Sequence, residues 1–287
     1  MTDAPLLSLT DLCVTFPTPA GAEFQAVRNV SFDVGREKVG IVGESGSGKS
    51  LTAKSLLGLI PAPGRARFDR MTFDGATLTQ SDQAAFGALR GKRITMIMQD
   101  PKFSLNPVMP VGRQIAETLV RHKNLSKADA LAAAIRALGD AQIQDPERVA
   151  KLHAHQISGG MGQRVMIAMM MAPEPDLLIA DEPTSALDVT TRAQILNLID
   201  ELRARTDTSV LFISHDLPLV SKFCDRILVM YQGEIVEEIA AAKLNQSTHP
   251  YTRALLNSRP GFGDARQRLP TLDRAALARA VLESGAP

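Results

Sequence analysis

One eight-residue run constrains the architecture of this chain more than any other feature. Gly43-Glu44-Ser45-Gly46-Ser47-Gly48-Lys49-Ser50 satisfies G-x-x-x-x-G-K-[ST]. It follows Lys38 to Val42, a short apolar run that reads as a strand. It opens Ser50 to Ile60, which reads as a helix stopped by Pro61, Pro63 and Gly64. The glycines let the backbone wrap closely around phosphate oxygens, so that successive N–H groups point inward. The helix start adds a field that favours negative charge. Lys49 supplies a positive charge for the β- and γ-phosphates of a nucleotide, and the Ser50 hydroxyl can ligate magnesium. A glycine-rich turn with a chance lysine is the bland alternative, and the strand and helix on either side argue against it.

A second strand–helix unit lies further along. Leu177 to Ala180 reads as a buried strand, Thr191 to Arg205 as a helix and Val210 to Ile213 as another strand. The first of these strands ends in Asp181-Glu182. Asp181 is placed to hold magnesium through water, and Glu182 to accept a proton from, or orient, an attacking water. An Asp-Glu-Pro turn at a strand end is common. The phosphate loop gives these carboxylates something to act on.

Leu7 to Phe16 and Ala26 to Val34 make the first part β-rich, and Ile227 to Met230 with Glu234 to Glu238 read as a hairpin around Gln232-Gly233. Strands alternating with helices predict an α/β fold, a parallel sheet with helices on its faces. The middle differs: Ile115 to Leu138 and Glu147 to His155 read as helical and alanine-rich. Pro101 to Gln156 is therefore read as a helical lobe inserted into the α/β core. A tail beyond Ser258 carries one charged helix candidate, Leu272 to Leu282.

Composition narrows the function classes. The 287 residues are 45% apolar and 22% charged, which allows a sizeable core. Lysine plus arginine (32) nearly cancels aspartate plus glutamate (31), which argues against bulk binding of nucleic acid through net charge. The two cysteines, Cys13 and Cys224, form no C-x-x-C pair, which argues against a disulfide scaffold and against a cysteine-held zinc or iron–sulfur site. No signal peptide is read at the start, and the densest apolar run, Val165 to Ala172, is far short of the roughly 20 residues that span a bilayer. Methionines 161, 166, 169, 170 and 171 read as a packed core helix rather than a soft-metal face. His122, His153, His155 and His249 read as surface or structural groups.

Between the phosphate loop and the acidic pair lies Ile157-Ser158-Gly159-Gly160-Met161-Gly162-Gln163-Arg164. Ser-Gly-Gly before a helix is another anion-ready helix start. One chain rarely needs two such starts for one nucleotide, but a second chain could bring its copy to the first chain's phosphates. Here the sequence resembles the ATP-binding subunits of ABC transporters, whose signature reads Leu-Ser-Gly-Gly-Gln. The resemblance covers about residues 5–258, leaving 259–287 as a tail. It includes Ser185-Ala186-Leu187-Asp188 as the D-loop and His215, in Ile213-Ser214-His215-Asp216, as the switch histidine.

The resemblance implies a P-loop NTPase core with a parallel sheet. It adds an N-terminal antiparallel β subdomain and an inserted helical subdomain at about 101–172. It implies ATP and Mg2+ as ligands. Residues 43–50 would hold the phosphates, with Ser50, Gln99 and Asp181 serving the metal. Glu182, Gln99 and His215 would serve hydrolysis. Ser158, Gly159, Gly160 and Asp188 would act across a dimer interface. Phe16 matches the aromatic that stacks on adenine, although the residue alone is equally a core phenylalanine. Residues 102–111 would form a docking surface beside Gln99, with a plain loop as the alternative.

Gln99-Asp100-Pro101, Leu105-Asn106-Pro107 and His249-Pro250-Tyr251-Thr252-Arg253-Ala254-Leu255-Leu256 resemble the oligopeptide, dipeptide and nickel importer ATPases. On its residues alone the last stretch is an ordinary amphipathic helix behind a proline. Departures are Ile157 and Met161 in the signature, Gly162 after it and His153-Ala154 ahead of it. The cysteine-rich, cluster-binding end of many members is absent, so no iron–sulfur cluster is expected.

The implied function is an ATPase energising import of a small solute, first peptides, with nickel or opines as alternatives. The implied place is the cytoplasmic face of a bacterial inner membrane. The implied partners are two transmembrane permeases, a second ABC ATPase chain (identical or homologous) and, indirectly, a periplasmic solute-binding protein, with no nucleic acid. An ATPase subunit of a soluble non-transport complex is the alternative from another class.

Overall fold

The computed structural model describes residues 4–98, 104–185 and 187–257. In chain order these form β1 (Leu7–Pro17), β2 (Glu23–Val34), β3 (Lys38–Val42), α1 (Lys49–Leu56), β4 (Arg65–Arg67), β5 (Arg70–Phe73) and β6 (Ala76–Leu78). Then come α2 (Gln83–Leu89), β7 (Ile94–Ile97), α3 (Val111–Lys123), α4 (Lys127–Asp140), α5 (Pro146–Val149), a 3₁₀ turn (Ala154–Gln156) and α6 (Gly159–Met171). The chain continues through β8 (Leu177–Asp181), α7 (Val189–Thr206), β9 (Ser209–Ser214), α8 (Leu217–Phe223), β10 (Arg226–Tyr231) and β11 (Glu234–Ala240). A 3₁₀ turn (Ala241–Gln246) and α9 (Pro250–Asn257) complete it. The described residues fall into two compact units. One is built from those up to Gln80 and from Phe212 onward, the other from Ser81–Leu211.

In the first unit β1 pairs antiparallel with β2, β4 and β5, and β6 extends β5. Leu7, Leu9, Leu12 and Val14 of β1 are all buried. The two-residue alternation skips once, at Asp11. Its φ is +52°, the pairing register with β2 shifts between Leu9 and Leu12, and its N–H donates to Ser31 Oγ at 2.8 Å. This bulge keeps apolar residues on the core face on both sides of the slip.

The same unit contains the order β11-β10-β3-β9, with β3 parallel to β10 and the β10–β11 pair antiparallel. The hairpin predicted around Gln232-Gly233 is present, and both turn residues have positive φ, +47° and +90°. That is the two-residue turn whose twist matches the flanking strands.

In the second unit β7 runs parallel to β8, in register from Ile94↔Leu177 to Ile97↔Ala180. All five residues of β8 are buried. Each large aliphatic side chain there contributes roughly 1.5–3 kcal/mol by leaving water. The expected helical stretch Ile115 to Leu138 is two helices. Asn124 turns left-handed at φ +55°, and Ser126 then caps α4, accepting from the Asp129 N–H at 3.2 Å. Glu147 to His155 is likewise a short α-turn and a 3₁₀ turn rather than one helix. The methionine-rich helix α6 is a core element: Met166, Met169 and Met171 are buried with Val165 and Ile167. Among the described residues no helix is long and apolar enough to cross a membrane.

Candidate functional site

The phosphate loop belongs to the first unit. β3 delivers the chain at Val42, and α1 leaves from Lys49 with left-handed Gly48 as its N-cap. Gly46 and Gly48 have φ of +84° and +103°, a region that L side chains rarely adopt. A Cβ on Gly48 would sit 2.9 Å from the Ala26 carbonyl oxygen, and one on Gly43 would overlap the Met230 carbonyl. All three glycines are therefore demanded by the chain's own backbone. The loop is tied down by the Ser47 N–H to the Glu44 carbonyl at 3.2 Å and by the Gly233 N–H to the Ser47 carbonyl at 3.0 Å.

Helix α1 has no side-chain cap and no acid in its first turn, a helix start compatible with a bound anion. Lys49 is 6% exposed, and its ammonium donates to the carbonyls of Gly43 and Glu44, each at 2.8 Å. Those acceptors are neutral. A phosphate in the loop would offer the ammonium charged ones, so the lysine has a reason to change partners. His215 also lies in this unit, exposed at the end of β9. The Asp216 N–H donates to Ser214 Oγ at 3.0 Å, and Asp216 caps α8 by accepting from the Leu219 N–H at 3.0 Å. Phe16, half-buried at the end of β1, packs on the backbone of Gly64 so closely that a Cβ there would overlap its ring.

The second unit carries the acids and the Ser-Gly-Gly turn. Asp181 closes β8 at 6% exposure. Glu182 follows with φ +47°, a left-handed backbone that turns the chain sharply away from the strand. Its carbonyl accepts from the Ser185 N–H at 3.3 Å and the Ser185 hydroxyl at 3.2 Å. The next residue is held from outside the turn: the buried Gln163 amide on α6 donates to the Pro183 carbonyl at 2.6 Å.

Ser158 caps α6, accepting from the Met161 N–H at 3.3 Å. Ser158 and Gly159 are exposed. A Cβ on Gly159 would meet nothing within 4 Å, and one on Gly160 only Thr191 Cγ2 at 3.7 Å. That contact also brings the start of α6 beside the start of α7. There Asp188 accepts from the Thr191 N–H at 3.0 Å and from its hydroxyl at 2.6 Å. The Thr191 hydroxyl bond, with the backbone bonds beside it, holds the Asp188 carboxyl below its ordinary pKa. Val189, next to it, is 80% exposed. Gln99 lies outside the described residues.

A family model described as ABC transporter matches residues 27–185, which run from the phosphate loop through the signature turn to the acidic pair. The chain belongs to the ABC transporter family. It is an ATPase of that family, as the motifs lead one to expect. The oligopeptide transport ATP-binding protein OppD of Escherichia coli is 46% identical over 257 residues, spanning 89% of this chain and 76% of that protein. The dipeptide transport ATP-binding protein DppD of Lactococcus lactis is 43% identical, over 94% of this chain and 78% of that protein. Among solved structures, the dimeric post-hydrolysis state of the ATP-binding cassette MJ0796, bound to ADP and Pi, is 27% identical. It superposes with a TM-score of 0.71 over 82% of this chain and 98% of that one.

Two side chains of this ABC ATPase were given no role on sequence grounds. Gln163 is a buried amide on a helix face otherwise made of methionine and aliphatics, and that break in apolar pattern was the readable signal. Tyr251 gave none, because its partner in the phosphate loop is 207 residues away along the chain.

Proposed function

We propose that this chain is the ATP-binding and ATP-hydrolysing subunit of an importer for a small solute, first of all peptides, working at the cytoplasmic face of a bacterial inner membrane. The names of the similar oligopeptide and dipeptide transport proteins support the solute class. The partners in this reading are two transmembrane permeases, a second ABC ATPase chain and, indirectly, a periplasmic solute-binding protein. The helical segment at about 101–172 is the part on which the permeases would dock.

Residues 43–50 bind the phosphates through backbone N–H groups and Lys49. Phe16 packs against adenine. Ser50, Asp181 and Gln99 hold magnesium, which neutralises phosphate charge when bound. Among the described residues no cluster of three or more histidine, cysteine or carboxylate groups forms a metal site. That fits an ion held chiefly by phosphate oxygens and water. Glu182 orients the attacking water and takes up its proton, and His215 and Gln99 also serve hydrolysis. Asp188 crosses to the second chain.

One observation carries the two-chain reading. Gly159 and Gly160 have ordinary helical backbones and room for a Cβ, yet glycine in a helix costs up to ~1 kcal/mol relative to alanine. Nothing among the described residues needs them. Close approach of something outside the chain does, and Ser158, Gly159 and Gly160 form an exposed helix start suited to the γ-phosphate bound by the other chain. The test is Glu182→Gln. Its expected result is nucleotide binding retained with steady ATPase activity lowered about 100-fold or more. Near-normal turnover would remove Glu182 from this role.

A further inference from the structure

The closing His249-Pro250-Tyr251-Thr252 run is not an ordinary amphipathic helix start. Tyr251 is completely buried, and its ring packs at a 38° tilt against that of Tyr231, with centroids 4.3 Å apart. Its phenol oxygen accepts the backbone N–H of Glu44 at 3.0 Å. That N–H belongs to the same peptide group as the Gly43 carbonyl, and the Gly43 carbonyl accepts from Lys49. One peptide at the mouth of the phosphate loop is thus held from both ends, by Lys49 on its oxygen and by Tyr251 on its nitrogen.

The neighbours of Tyr251 hold it in place. The Thr252 side chain, also fully buried, donates to Glu237 of β11. Ser247 donates to the same carboxylate at 2.7 and 2.9 Å. His249 Nδ1 accepts the Tyr251 N–H at 3.3 Å, and the fixed ring of Pro250 suits the first helical position. Each residue of the run has a bond or a backbone constraint whose effect is to fix the phenol.

We propose that Tyr251 is a positioning residue for the phosphate loop, and that the His-Pro-Tyr-Thr run at the start of α9 exists to present it. When a phosphate draws Lys49 away from the Gly43 carbonyl, the phenol still holds the peptide's other end. The loop then keeps its amide directions while the ammonium changes partners. This rests on the reading of residues 43–50 as the ATP phosphate cradle.

The experiment uses the full chain and three variants. Tyr251→Phe keeps the ring and its packing against Tyr231 and removes the hydroxyl. The expected result is a KM for ATP raised about fivefold with kcat within about twofold, the size of one lost hydrogen bond. Hydrogen exchange of the Glu44 amide should speed up while the amides of α9 stay as protected as in the parent chain. Thr252→Val, which loosens the anchor, should give a smaller shift in the same direction. An unchanged Glu44 exchange rate and KM in Tyr251→Phe would overturn the proposal. Equal loss of protection in α9 and the loop would also overturn it, because the tyrosine would then be only a packing residue. Lys49→Ala serves as the separate control: if it binds ATP as tightly as the parent chain, the phosphate-cradle reading itself fails.

Discussion

Two glycine-rich helix starts in this molecule look alike in sequence and differ in what demands their glycines. In the phosphate loop, Gly46 and Gly48 lie at positive φ, and Cβ atoms on Gly43 and Gly48 would strike Met230 and Ala26. The chain explains its own sequence there. In the Ser158-Gly159-Gly160 turn, the backbone is ordinary and the space above the glycines is open. The first loop is shaped by its own fold. In the proposed two-chain reading the second is kept small for an approach from outside, so that a side chain there would cost the partner rather than the fold.

The largest expected effect breaks the comparison at the phosphate loop. Gly48→Val places a β-branched side chain at φ +103° against the Ala26 carbonyl, and it should both lower the melting temperature and abolish nucleotide binding. Calorimetry with a nucleotide titration reads both. The contrasting variant is Gly159→Ala. Its melting temperature should stay level or rise, by up to ~1 kcal/mol of stability, while ATPase activity falls about tenfold or more. A fall in both would show that the fold needs this glycine after all.

Gln163→Leu sharpens the link between the signature helix and the acidic turn. It strips the Pro183 carbonyl of its buried donor, at a cost of about 1–3 kcal/mol in a denaturant melt. Turnover should fall with nucleotide affinity held, because the peptide after Glu182 loses its anchor.

Why was the first loop legible from sequence and much of its surroundings not? Gly43 to Ser50 is a local motif whose strand and helix are its immediate neighbours. The signature turn was legible only as an anion-ready helix start and His215 had no role as an isolated residue; the roles proposed for both come through family resemblance. β4 to β6 were not anticipated, since strands of three or four residues such as Arg65–Arg67 exist through pairing with β1 or β5 rather than through any pattern of their own. β7 was hidden by its brevity, at four residues. The break at Asn124 was signalled by Asn124 and Ser126 but overshadowed by the alanine-rich helical run around it. Tyr251 and Gln163 act through long-range contacts with backbone groups, and no spacing rule reports those.

The smallest effect concerns pH. Burial pulls the His249 pKa below its ordinary 6.5, against an opposing pull from Glu237. The neutral ring is therefore favoured in the fold. Its stabilising share is complete above pH 6.5 and is lost as pH falls from there through the lower folded value. Melting temperatures measured from neutral pH down to about 5.5 should fall more steeply for the parent chain than for His249→Asn. Parallel slopes would remove His249 from the acid response.

The two-chain account is tested most directly by ATP-driven association of the Glu182→Gln chain. It would be followed by analytical ultracentrifugation on the chain alone and mixed with a homologous ABC ATPase subunit. Mg-ATP should drive association and Mg-ADP should not. Adding Gly160→Asp should abolish association while nucleotide affinity of the single chain stays within about twofold, because the new side chain makes only an ordinary contact with Thr191 in its own chain and its charge would repel the other chain's phosphates. Undiminished association of the double variant, or loss of nucleotide binding by the single chain, would contradict the assignment of the signature turn to the partner's site.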